Sequence, residues 1–239
     1  MNLLCLDAGN TRLKWGLRTP DAWVAQGALA HDAIASLGAA LPASPARILA
    51  CNVAGPAVAT HIEALAAALS VPLDWFHSSP ADAGVTSGYA IPAQLGADRW
   101  AALIGARQHH SGPALVVMAG TATTIDVLSA EGRFCGGLIL PGLDLMRAAL
   151  ARNTAGLPEA IGQFAPLPTN TDDAIISGAL QATLGAIERM AAHLCRPATA
   201  DFSIVLSGGA ADALAAHLAL PVRRVEHLVL EGLAASAVW

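Results

Sequence analysis

Residues 3–17, LLCLDAGNTRLKWGL, are partly repeated at residues 114–128, ALVVMAGTATTIDVL, and this repeat narrows the architectures open to the chain. Each copy reads as an apolar strand, a short glycine-containing turn and a returning strand. Gly9 aligns with Gly120, Asn10 with Thr121 and Asp7 with Met118. The copies lie about half a chain apart, the signature of an internal duplication. Two similarly built halves, 1–110 and 111–239, facing one cleft are therefore expected. The plain alternative is a chance likeness between two ordinary β-hairpins.

The rest of the chain fits an α/β reading, because strand and helix signals alternate throughout. Residues 3–6 read as a buried strand and 12–17 as its hairpin partner, across a turn in which Gly9 and Asn10 are expected to take positive φ. Further strands are expected at 48–51, 73–76, 114–117, 123–128 and 203–206. Helices are expected at 57–69, 96–109 and 173–194. In the last of these, Ile176, Leu180, Leu184, Ile187 and Leu194 form one apolar stripe. Residues 158–168 read as a loose, proline-rich connection.

Composition excludes several classes. Hydrophobic residues make up 54% of the 239 and charged residues 13%, but much of the excess is alanine. No uncharged apolar run approaches the roughly 18–20 residues that span a bilayer, so no membrane segment is expected. The first residues enter a strand pattern without a basic n-region or cleavage site, so no signal peptide is expected. Cys5, Cys51, Cys135 and Cys195 stand singly with no CxxC pair, which suits a reduced cytoplasmic compartment. A net charge of −5 speaks against nucleic acid as a partner.

The turn Asp7-Ala8-Gly9-Asn10-Thr11 sets backbone N–H groups, an amide and a hydroxyl around a point where a phosphate fits. Asp7 at the strand end suits a hydrated Mg²⁺ carried in by a nucleotide. Arg12 or Lys14, the chain's only lysine, offers positive charge. Gly120-Thr121-Ala122-Thr123 forms a second such turn. No GxxxxGK[ST] and no GxGxxG occurs, so neither a Walker loop nor a dinucleotide fingerprint is present. Each turn alone is also readable as a plain hairpin. Gly96-Ala97-Asp98-Arg99 opens a helix whose stripe is Trp100, Leu103 and Ile104. Asp98 there is either a dipole-favoured aspartate or an acid–base group, and Arg99 beside it suits a carboxylate. His109 and His110 read as solvated, with no partner ligand for a metal. Asp126 reads as a hairpin aspartate or an aid to Mg²⁺, and Gly136-Gly137…Pro141-Gly142 as a cleft-shaping stretch or a strand-to-helix turn.

Four motifs in register across the chain carry a family resemblance. They are Asp7-Ala8-Gly9-Asn10-Thr11; Tyr89…Pro92…Leu95-Gly96-Ala97-Asp98-Arg99; Gly120-Thr121-Ala122-Thr123-Thr124; and Asn170-Thr171 followed by Ala174-Ile175-Ile176-Ser177-Gly178. Together they resemble type III pantothenate kinase, of the acetate and sugar kinase, heat-shock protein 70 and actin superfamily. The resemblance implies two ribonuclease H-like (actin-like ATPase) halves and phosphorylation of pantothenate by ATP, the first step of coenzyme A synthesis. It implies Asp98 as general base, with Tyr89, Gly96, Ala97 and Arg99 at pantothenate. Thr171 would reach the pantothenate of a neighbouring subunit in a homodimer built on the 173–194 helix. ATP would lie on Asp7, Ala8, Gly9, Asn10, Thr11, Arg12, Leu13 and Lys14 and on Gly120 and Thr121, with Mg²⁺, and Ser207-Gly208-Gly209 falls where the superfamily meets adenosine. The family places an aspartate that binds activating K⁺ or NH₄⁺ where this chain has Met118, and a thioether suits such a hard cation poorly. The rivals are a non-catalytic regulatory or interaction protein on the same fold, to which only Met118 points, and a sugar or acetate kinase, which Arg99 disfavours.

Overall fold

The computed structural model describes residues 2–157, 159–194 and 202–237. The chain forms two compact units. Unit 1 comprises Met1–Ser111, Gly132–Phe134 and His227–Trp239; unit 2 comprises Gly112–Glu131 and Cys135–Glu226. The C-terminal segment thus belongs with the first half of the chain.

Unit 1 contains strands β1 (Leu3–Ala8), β2 (Leu13–Arg18), β3 (Trp23–Leu29), helix α1 (Leu37–Ala40), β4 (Arg47–Asn52), α2 (Pro56–Leu69) and β5 (Leu73–Trp75). The hairpin β6 (Ala81–Asp82) and β7 (Val85–Thr86) and the helix α3 (Ala97–His109) follow. The main sheet has the order β3-β2-β1-β4-β5. β1 runs antiparallel to β2 and parallel to β4, so it is central. A strand buried on both faces reads as an unbroken apolar run, and LLCLDA is buried at every position. β3 instead alternates between half-buried and exposed residues, as an edge strand with one covered face does. Leu4, Leu6, Leu13, Leu17, Ile48 and Ile62 form the core beneath this sheet.

Unit 2 repeats the plan. Strands β8 (Ala114–Ala119), β9 (Ala122–Leu128) and β10 (Phe134–Pro141) lead into helices α4 (Leu143–Asn153) and α5 (Thr171–Leu194). β11 (Ser203–Ser207), α6 (Ala211–Ala215) and β12 (Val222–Arg224) complete it, and α7 (Leu228–Ser236) closes the chain in unit 1. The sheet order is β10-β9-β8-β11-β12, strand for strand the order of unit 1. β8 pairs antiparallel with β9 and parallel with β11, as β1 does with β2 and β4. The sequence repeat is therefore a repeat of topology.

Three sequence expectations change. Neither Gly9, Asn10 nor Gly120 has positive φ; that conformation falls instead on Gly55, Gly84, Gly132, Gly136 and Gly208 and on Ser70, Ala83 and His227 among the described residues. The turn between β1 and β2 has four residues, since Ala8 pairs with Leu13, and this length needs no left-handed residue. On α5 the buried side is Ile175, Leu180, Leu184, Ile187 and Ala191, while Ile176 and Leu194 are only partly covered. Gly136 and Gly137 lie inside β10, which ends at Pro141, so the expected strand-to-helix turn is confined to Pro141-Gly142, with Gly142 the N-cap of α4.

α7 packs on α3 through small residues. A Cβ on Gly232 would overlap the Ala101 carbonyl, and one on Gly105 would overlap that of Leu228. Glycine at both crossing points lets the backbones approach, and Leu228, Leu230 and Leu233 are fully buried there. Cys5 and Cys51 are buried free thiols, while Cys195 lies outside the described residues. No described helix is long and apolar enough to cross a membrane.

Candidate functional site

In unit 1 the antiparallel register sets Lys14 directly opposite Asp7, and the ammonium lies 3.6 Å from Asp7 Oδ2. Asp7 is only 4% exposed. Burial pushes its pKa up to about 6, the Lys14 charge opposes the rise, and the neighbouring Asp98 carboxylate adds to it. Cys51 pairs with Asp7 on the other side, in β4. Its thiol is held well above the ordinary range, by burial first and then by the charges of Asp7 and Asp98. The structure thus gathers Asp7, Lys14, Cys51 and Asp98 at the end of β1, and it answers which way the lone lysine faces.

Past Asp7 the chain opens into the turn 9–12, with Asn10, Thr11 and Arg12 exposed. His31 Nε2 lies 2.9 Å from the Gly9 carbonyl. A carbonyl only accepts, so that nitrogen is the one carrying hydrogen. A Cβ at Gly9 would meet nothing closer than the Arg12 carbonyl oxygen, at 3.7 Å. The fold would therefore tolerate alanine there, and the missing side chain instead bares the backbone to an incoming group.

Asp98 lies in the first turn of α3, and its Oδ1 accepts the Arg99 N–H at 2.8 Å. A Cβ on Gly96 would come within 2.7 Å of the same oxygen, so a larger residue there would displace the Asp98 carboxylate. Arg99 is 5% exposed. Its guanidinium donates to the Tyr89 hydroxyl at 3.2 Å and stands 5.9 Å from the Tyr89 ring centre. A cavity of about 370 Å³ opens at the N-terminus of this helix, lined by Asn52, His77, Ser78, Gln94, Gly96 and Ala97. It lies beyond the carboxyl ends of parallel strands, where open α/β sheets bind ligands.

In unit 2 the equivalent turn carries different chemistry. Met118 pairs with Thr124, where Asp7 pairs with Lys14. The Thr123 and Thr124 hydroxyls are buried without a hydrogen-bond partner. Asp126 is fully buried. The turn is gripped by two later glycines. The Gly142 N–H donates to the Thr121 carbonyl at 2.9 Å, and a Cβ on Gly142 would overlap the Gly120 carbonyl. Gly208, at φ 106, passes so close that a Cβ would overlap the Ala119 carbonyl. Gly120 itself, like Gly9, leaves room for one.

Thr171 is exposed at the first position of α5. Asn170 caps that helix: its Oδ1 accepts the Asp173 N–H at 2.9 Å and its amide donates to Asp173 Oδ2 at 2.7 Å. Hydrogen bonds from Gln163 N–H and Asn170 hold the Asp173 carboxyl below the usual range. His109 lies 4.0 Å from Glu231, and no cluster of three or more His, Cys, Asp or Glu suited to a metal occurs among the described residues.

One participant escaped the sequence reading. Phe134, fully buried, sits with its ring centre 5.7 Å from the Arg99 guanidinium and 5.2 Å from the Tyr89 ring. The only signal for it was aromatic scarcity, since the chain has one tyrosine and four phenylalanines.

Comparison with known proteins shows which family the chain resembles. The profile of the type III pantothenate kinase family matches residues 3–193. The type III pantothenate kinase of Aromatoleum aromaticum is 51% identical over 209 residues, covering 87% of this chain and 86% of that one. Among solved structures, a Campylobacter jejuni protein assigned to the Baf family of transcriptional activators superposes with a TM-score of 0.62 at 21% identity, covering 96% of this chain and 94% of the other. A Sinorhizobium meliloti protein assigned as a 2-dehydro-3-deoxygalactonokinase gives 0.60 at 18% identity, over 98% and 97% of the two chains. At such identities these two speak for the fold alone, the duplicated ribonuclease H-like plan of the actin-like kinases.

Proposed function

The chain belongs to the type III pantothenate kinase family, and from that membership we propose that it transfers the γ-phosphoryl group of ATP to the primary hydroxyl of pantothenate, opening coenzyme A synthesis. The observation that carries the residue assignments is the nearness of two carboxylates from different elements, Asp98 of α3 and Asp7 of β1. Phosphoryl transfer asks mainly for positioning and charge stabilisation, and these two groups divide that work.

Asp98 is assigned the acceptor hydroxyl. A carboxylate is far too weak a base to ionise an alcohol beforehand, so it orients the O–H and takes the proton late in the transfer. Arg99 receives the pantothenate carboxylate, and Tyr89, Gly96 and Ala97 line the same end of α3. The turn from Asp7 through Ala8, Gly9, Asn10, Thr11, Arg12 and Leu13 to Lys14 is assigned to the ATP phosphates. Gly120 and Thr121 in unit 2 are assigned an ATP contact of their own. In both turns the glycine is spared by the fold, which supports a ligand as its reason.

ATP enters with a divalent metal. Asp7 fits Mg²⁺, since it is an oxygen donor whose charge Lys14 only partly offsets and Mg²⁺ is held through one or two carboxylates and water. That ion would neutralise charge on the phosphate oxygens. The monovalent site does not fit: Met118 brings sulfur where a hard cation needs oxygen, and the hydroxyls beside it are neutral. No step here depends on K⁺ or NH₄⁺.

A homodimer is the assembly we propose, with Thr171 at the partner's pantothenate. α4 buries none of its residues, and Leu145, Leu150 and Ile139 are exposed in unit 2, which supports a covered face there. A cytoplasmic location is supported by the free thiols of Cys5 and Cys51. ADP release measured with and without pantothenate, in K⁺, NH₄⁺ or Na⁺, tests the reading. The expected result is turnover only with pantothenate, at equal rates in the three salts. No turnover in any of them would refute the kinase assignment, and strong K⁺ dependence would restore the cation site.

A further inference from the structure

We infer that Phe134 is a positioning residue for pantothenate: with Tyr89 it clamps the Arg99 guanidinium in the orientation that receives the substrate carboxylate. The inference rests on the proposed role of Arg99 as the carboxylate anchor.

Arginine is long, and holding its side chain in one geometry costs rotamer freedom. Here two rings bear that task. The guanidinium carbon lies over Phe134 at 5.7 Å and over Tyr89 at 5.9 Å, and the rings contact each other at 5.2 Å with a 45° tilt. A ring face attracts the cation from outside the guanidinium plane. A carboxylate is received within that plane, in bidentate fashion, so the face of Phe134 does not compete with it, while the Tyr89 hydroxyl takes one in-plane N–H and fixes the rotation of the fork.

Phe134 reaches this place on a short arm. Residues Gly132–Phe134 follow β9 in the chain but belong to unit 1. The Thr86 N–H donates to the Gly132 carbonyl at 2.9 Å, and Thr86 forms a parallel bridge with Arg133. Gly132 has φ 82, and a Cβ there would overlap the Gly84 carbonyl, so only glycine lets the arm lie down on the β6–β7 turn. An arm fastened by this bridge and by the close approach of Gly132 to Gly84 delivers a ring that is fully buried against the Arg99 cation. Packing alone would be served equally by an aliphatic residue.

The test compares pantothenate with its neutral alcohol analogue, in which a hydroxymethyl group replaces the carboxylate. Phe134→Leu should raise KM for pantothenate about 10-fold, leave KM for ATP within about twofold, and leave kcat/KM for the alcohol unchanged. Arg99→Met sets the reference, since it should abolish the preference for the carboxylate. Phe134→Tyr, which keeps the ring face, should restore the wild-type preference. If Phe134→Leu does not fold, Phe134→Met, flexible and of similar volume, takes its place. Equal losses on both substrates, or no loss on either, would reduce Phe134 to packing and overturn the inference. If Arg99→Met itself left the preference intact, the carboxylate-anchor reading would fall, and this one with it.

Discussion

Asp7 and Met118 hold the same position in two copies of one strand, and they face different partners across the hairpin: Lys14 in unit 1, Thr124 in unit 2. Sheet order, strand directions and the spared glycine are the same in both copies. What differs is charge. Unit 1 buries a carboxylate against an ammonium beside a second carboxylate, Asp98, whereas the unit 2 turn keeps neutral side chains at the matching positions. Support differs too, since His31 braces the first turn by one hydrogen bond and Gly142 and Gly208 hold the second by close backbone contact. A duplicated scaffold can thus keep its strand order and directions, with the second turn one residue shorter than the first, while its chemistry collects in one copy.

Removing charge from unit 1 should have the largest consequences. Asp98→Asn should lower kcat by about 10²–10⁴ while the protein stays folded, which steady-state kinetics and a melting curve check together. Normal turnover would remove Asp98 from the mechanism.

Next in size is the cost of burying Asp7. An acid whose pKa is raised by folding holds its proton more tightly in the folded state. The penalty is therefore absent below the unfolded value of 3.8 and complete above about 6. Two pKa units correspond to roughly 3 kcal/mol. Asp7→Asn should accordingly be more stable than the parent at pH 7, with the gain fading as pH falls from 6 to 4. Denaturant titrations across that window check it, and a pH-independent difference would contradict the buried-carboxylate account.

The glycines should separate by purpose. Gly208→Ala should destabilise by more than about 1 kcal/mol, because its φ of 106 and the Ala119 backbone both exclude a side chain. Gly9→Ala and Gly120→Ala should change stability by less than about 0.5 kcal/mol while raising KM for ATP. Equal destabilisation at all three would mean that the two turns owe their glycines to the fold.

Much of this was legible in the sequence because buried strands announce themselves. The runs at 3–6 and 114–117 are continuous and apolar, and the copied glycines fixed their turns to one another. α3 was legible from its stripe and the acidic residue in its first turn. β10 was not, because Gly136 and Gly137 deprive it of β propensity and its pairing comes from β9. α7 was missed because its stability lies in distant Gly105 and Ala101 of α3, not in its own short pattern. Lys14 could be read as a charge but not aimed until register put it opposite Asp7. Phe134 was invisible because its place depends on the Gly132 arm, a long-range contact without local signature. The positive φ expected at Gly9 failed because a four-residue turn closes without it.

The division of labour between the two turns is tested most directly by placing the same side chain in each. Asp7→Asn and Met118→Asn should be assayed side by side for pantothenate-dependent ADP formation. The account predicts a loss of about 100-fold or more for Asp7→Asn and at most a few-fold for Met118→Asn. Equal losses in the two variants, or a larger loss at Met118, would contradict it.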